Sequence, residues 1–93
     1  MVTVILSAHL NLPQVRSLKE KRRIIKSLIT RLRNDFNISI AEVADNDTHR
    51  HAVIGAAIVS NDRAFGDQVI AKVVNRIENN GDLILTEYHT EIY

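Results

Sequence analysis

Apolar and polar residues alternate from Val2 to Leu12, with Val4, Leu6, Ala8 and Leu10 on one side and Thr3, Ser7, His9 and Asn11 on the other; Ile5 is the exception. A period of two over this length predicts a strand with one buried face. Pro13 ends it, having no N–H to give to a ladder. The period then changes: Leu18, Ile25, Leu28, Ile29, Leu32 and Phe36 gather within a sector of about 100°, as on an amphipathic helix. Ser17 and Glu20 form a capping box at its start, each side chain able to satisfy a backbone N–H of the first turn.

Ile38 to Val43 reads as a short strand and Asp45 to Arg50 as a polar connection. Ala52 to Val59 is almost continuously apolar around Gly55, the pattern of a central strand covered on both faces, with a second subunit as one candidate cover. Asn61 or Asp62 can cap a second helix carrying Phe65, Val69, Val73 and Ile77 at i, i+4 spacing. Asn79, Asn80 and Gly81 supply its stop, Gly81 being suited to a left-handed position, and Leu83 to Ile92 is the last strand. The order strand, helix, strand, strand, helix, strand, with right-handed crossovers, predicts an α+β, ferredoxin-like fold: a four-stranded antiparallel sheet of order 4-1-3-2 with both helices on one face.

Ninety-three residues, 45% hydrophobic and 25% charged, suit a single domain spanning 1–93 with one core. The absence of cysteine excludes disulfides, thiolate metal sites and a cysteine nucleophile. No basic segment precedes the first apolar run, unlike a secretory signal, and no stretch reaches the ~18 apolar residues of a membrane span. A soluble, cytoplasmic protein is expected.

Charge changes the picture more than composition does. The net charge is only +1, yet eight of the twelve bases lie between Arg16 and Arg33 with Glu20 as the sole acid, while the rest of the chain carries four bases and ten acids. On the helical projection Lys19, Arg22, Arg23, Lys26 and Arg33 form a second sector, away from the apolar stripe, with Arg16 and Lys21 extending it at the helix start. Lys21 falls within the apolar sector, where its stem would have to snorkel past the core edge. Bases at i, i+3, i+4 and i+7 spacing can track a phosphate backbone, so the candidate nucleic-acid-binding residues are Arg16, Lys19, Lys21, Arg22, Arg23, Lys26 and Arg33. The plain alternative is a solvated helix face that pairs with the acidic remainder of the chain.

Several segments together resemble the YlxP-like family of small bacterial proteins: Ser17-Leu18-Lys19-Glu20-Lys21-Arg22-Arg23, then Arg31-Leu32-Arg33, Phe36 to Val43, Ala52-Val53-Ile54-Gly55 and Ser60-Asn61-Asp62. The resemblance implies a ferredoxin-like fold and an undefined function. It also implies genes lying beside those of a translation initiation factor and a ribosome-binding factor, and hence a role near the ribosome or ribosomal RNA. It brings no catalytic residues with it.

Other chemistry has weaker support. His49 and His51 lie near Asp45 and Asp47, and His9 and His89 can meet if the first and last strands are neighbours, but neither group has a diagnostic metal spacing. No metal or cofactor is therefore expected. Glu87, His89 and Glu91 share one face of the last strand, where such residues ordinarily serve solubility and edge protection. Acylphosphatase has this size and strand order, but its glycine-rich phosphate loop is missing here, as are the P-loop and dinucleotide fingerprints. No catalytic residue is assigned. No aromatic residue lies on the first or third strand, so base stacking on the sheet is not expected.

The expectation is a non-enzymatic protein that binds ribosomal RNA or a ribosomal particle through phosphate contacts, in small-subunit assembly or initiation. The alternatives are an oligomeric module that binds a small anion between protomers, and an adaptor whose basic helix meets an acidic protein. A homodimer through the open sheet face or a strand edge is expected beside the first reading.

Overall fold

The computed structural model describes residues 1–93. Its elements run β1 (Val2–Asn11), α1 (Leu18–Asp35), β2 (Ser39–Ala44), β3 (His51–Ser60), α2 (Arg63–Glu78) and β4 (Ile84–Ile92). The strands form one antiparallel sheet ordered β2-β3-β1-β4, which is the α+β, ferredoxin-like order expected.

The alternation in β1 sets the layers. Val4, Leu6, Ala8 and Leu10 are buried against the helices together with Ala52, Ile54, Ala56 and Ile58 of β3. Ile24, Ile25, Leu28 and Leu32 of α1 and Ile70, Val73, Val74 and Ile77 of α2 complete the same core. The α2 stripe is therefore shifted from the sequence expectation: Val73 and Ile77 are buried, whereas Phe65 is 57% exposed and Val69 only partly covered. Gly66 takes the place next to the sheet, because a Cβ there would stand 2.8 Å from Val4 Cγ2, too close for any side chain.

The opposite face of the sheet carries no layer. Val53 is buried on it, but Val59 is 67% exposed, so the two-sided burial expected for β3 holds over only part of its length. Val43 leans over Gly55, where a Cβ would come within 2.9 Å of its Cγ1.

Helix ends follow local chemistry. The Ser17 side chain accepts from the Glu20 N–H at 3.1 Å, and the Glu20 carboxylate accepts from the Arg16 N–H at 3.3 Å, one residue earlier than in the standard reciprocal box. Asp62 caps α2 by accepting from the Ala64 N–H at 3.0 Å. At the other end of α2, Asn79 donates its side-chain N–H to the Asn75 carbonyl at 2.8 Å. Gly81 does not adopt a left-handed φ, so the side-chain cap of Asn79 replaces the expected glycine stop. The one left-handed residue is Asp45, φ 59°, in the β2–β3 connection.

Candidate nucleic-acid interface

The capping box fixes where α1 begins, and its apolar stripe fixes which way the helix is turned. Lys19, Arg22, Arg23 and Lys26 consequently lie on the exposed side of α1, away from the sheet, and Arg16 is exposed just before it. Among these residues only Arg22 has a side-chain ion pair: its Nη2 lies 3.6 Å from Asp47 Oδ1, between side chains 59% and 94% exposed. A pair that open to solvent contributes little and is readily exchanged for another anion. Arg33 is exposed but leans back, donating from Nη2 to the Ile40 carbonyl at 3.1 Å, which occupies one of its five N–H groups.

Lys21 departs from the expected face and corrects it. Its side chain is fully buried, and Nζ donates to Glu42 Oε2 at 2.8 Å and to the carbonyls of Asp45 at 2.8 Å and His51 at 3.1 Å, with the Asn46 carbonyl at 3.4 Å. An ammonium has three N–H donors, so three short bonds saturate it and the fourth contact shares a donor. Lys21 is thus unavailable to phosphate. It ties α1 to the β2–β3 connection, where Asp45 O also accepts from the Thr48 N–H at 3.0 Å and closes the turn. The signal for this was present in the sequence, since Lys21 falls inside the apolar sector. What the pattern could not supply was Glu42 and three carbonyls 21 to 30 residues away.

The two arginines of the second helix are paired with carboxylates, Arg63 with Asp67 one turn on. Arg76 pairs with Asp35 of α1, and its guanidinium lies 5.4 Å from the centre of the Phe36 ring. The open sheet face offers no stacking platform: Tyr88 stands opposite Ala8 on the helix side, and Tyr93 at the chain end donates its hydroxyl to Glu91. That hydrogen bond, and then the charge of Glu91, raises the Tyr93 pKa above the ordinary phenol value. Of the histidines, His9 and His89 meet across β1 and β4, whereas His49 and His51 gather no ligand group with the nearby aspartates. No helix is long and apolar enough to cross a membrane.

Known proteins are similar to this chain. The de novo designed protein Ferredog-Diesel superimposes with a TM-score of 0.45 at 14% identity, over 96% of this chain and 83% of that chain. The uncharacterized protein YlxP of Bacillus subtilis (strain 168) is 36% identical over 75 residues, spanning 81% of this chain and 82% of that protein. The model of the family described as protein of unknown function (DUF503) matches residues 3–90, nearly the whole ferredoxin-like domain, and the chain belongs to that family.

Proposed function

We propose that this protein is a non-enzymatic binding protein that docks the outer face of α1 on the phosphate backbone of ribosomal RNA. The observation that carries the reading is the run Lys19, Arg22, Arg23 and Lys26, exposed on one helix face, with a single open ion pair among its four charges. Arg16 and Arg33 flank it, and Lys21 serves the fold instead. Arginine adds a planar fork matched to phosphate oxygens, and the lack of stacking aromatics favours recognition of backbone and shape over base sequence. The ribosome as the source of that backbone is supported only by the family resemblance. That resemblance implies genes often lying beside those of translation factors, which argues for small-subunit assembly or initiation.

Sedimentation of cell lysate through sucrose gradients tests this. The wild type should co-migrate with ribosomal particles, and an Arg22→Glu, Arg23→Glu double variant should remain at the top, with the wild-type association weakening as salt rises. Equal migration of the two proteins discards the reading. A second reading, a homodimer closed over the open sheet face, is favoured by the exposure of Ile5, Val43 and Val59 there. Sedimentation as a monomer at high micromolar concentration removes it.

A further inference from the structure

The sheet contains no lysine or arginine at all: every base of the chain lies in a helix or a connection. On its open face, β1 and β4 bring together two imidazoles and a carboxylate. His9 is directly opposite Glu87, Ser7 is opposite His89, and the two histidines are therefore diagonal neighbours across the ladder. His9 Nδ1 lies 4.0 Å from Glu87 Oε1, and His89 Nε2 lies 3.6 Å from Glu87 Oε2. One donor atom from each of the three residues falls within 4.8 Å of the others.

We infer that His9, Glu87 and His89 form a binding site for a divalent cation of the zinc class. Two neutral imidazoles and one carboxylate are a donor set suited to Zn²⁺ and its first-row neighbours, and poorly suited to Mg²⁺, which takes oxygen ligands. Metal–ligand bonds of about 2.0–2.2 Å place tetrahedral donors roughly 3.3 Å apart. The observed separations of 4.0 and 3.6 Å exceed that value by about 0.7 and 0.3 Å.

Two further features point the same way. The β1–β4 register shifts immediately beside this group, between His9 and Leu10, and the extra residue Thr86 donates its hydroxyl to the His9 carbonyl at 3.1 Å. A bulge increases local twist and re-aims the side chains next to it, and such bulges gather at functional sites. The imidazoles also hold one another edge to face, with centroids 6.1 Å apart and planes at 87°, which limits the rotamers the ligands would lose on binding. Three protein ligands leave a tetrahedral ion one position open toward solvent.

The site shares no residue with the basic face of α1, so its test is independent of RNA binding. Zn²⁺ titrated calorimetrically into the full-length, tag-free protein after chelator treatment should bind at one ion per chain, and Mg²⁺ should not. At a hundredfold excess over Kd it should raise Tm by roughly 11–14 °C. Co²⁺ should develop the visible absorption of a low-symmetry site. His9→Ala and His89→Ala should each abolish the stoichiometric binding, Glu87→Gln should weaken it at least tenfold, and His49→Ala should leave it unchanged. All four positions are partly or fully exposed, so the variants should keep the wild-type circular dichroism. No saturable binding by the wild type, or equal binding by a His9→Ala, His89→Ala double variant, overturns the inference.

Discussion

The outer face of α1 and the open face of β1 and β4 lie on opposite sides of one two-layer fold and carry opposite chemistry. The first is a row of flexible cations supplied by a single helix turn after turn. The second is a histidine and carboxylate group without any cation, assembled from residues 78 and 80 positions apart in the chain. Their difference lies in how each would hold an ion. Mobile ammonium and guanidinium groups suit an extended polyanion whose charges need only be matched on average. Ligands fixed by strand pairing suit a point charge that demands particular distances. Separation by the sheet and its core keeps the cations of α1 from competing with a metal on the far face.

The largest expected effect concerns a base that belongs to neither face. Lys21→Met keeps most of the buried stem but removes the ammonium, leaving Glu42 and the carbonyls of Asp45 and His51 without their shared donor. Breaking a buried pair from one side costs about 3–5 kcal/mol, and chemical denaturation should show a loss of that order. If the variant unfolds at the wild-type midpoint and instead loses ribosome association, Lys21 belongs to the docking face after all.

Salt separates the two faces next. Four to six phosphate contacts give log K a slope against log salt of roughly −3 to −5, so a rise from about 50 to 200 mM weakens RNA docking on the order of 10²- to 10³-fold. Coordination of Zn²⁺ by His9, Glu87 and His89 should change far less over the same range, as a parallel calorimetric titration would show. Lys26→Gln should lower the magnitude of the RNA slope by ~0.7–0.9, the share of one phosphate contact. A slope indifferent to that substitution would move the contact off this face.

The two glycines that make close approaches test the layers between these faces. Gly66 is buried against Val4, and alanine there overpacks a core position and should cost about 1–3 kcal/mol in spite of its better helix propensity. At Gly55 the obstructing atoms belong to Val43, which is 57% exposed and free to swing outward, so Gly55→Ala should be close to neutral by thermal unfolding. A large loss at Gly55 would mean that Val43 is clamped, as it would be under a second subunit.

What could be read from the chain follows the range of the interactions. Strand alternation and the Ser17 and Glu20 cap are local in sequence and appear where the residues place them, and so does the centre of the α1 stripe at Ile25, Leu28 and Leu32, whereas Leu18, Ile29 and Phe36 are only partly covered and Ile24 joins the buried face. Neighbouring bases on one helix are local in the same way, so Lys19, Arg22, Arg23 and Lys26 were legible as one face. Lys21 was not, because its partners come from β2, the β2–β3 connection and the start of β3. The α2 stripe was misplaced because a close helix–sheet contact at Gly66 decided the rotation, and glycine contributes nothing to a hydrophobic pattern. The meeting of His9 with His89 required the strand order, and the position of Glu87 between them required the register and its bulge as well.

The smallest expected effect is the most discriminating for the sheet face. In chelator-treated buffer the His9→Ala, His89→Ala double variant should match the wild-type stability to within about 0.5 kcal/mol, because partly exposed imidazoles beside an exposed carboxylate contribute little to folding. A structural network would respond differently: removing both rings would strand Glu87 and expose the bulge, with a loss that appears with or without metal. A metal site shows its stabilisation only when the ion is present, by mass action on the folded state. Unfolding curves of the two proteins should therefore coincide without Zn²⁺ and separate with it, and a separation already complete in chelator would assign these histidines to the fold.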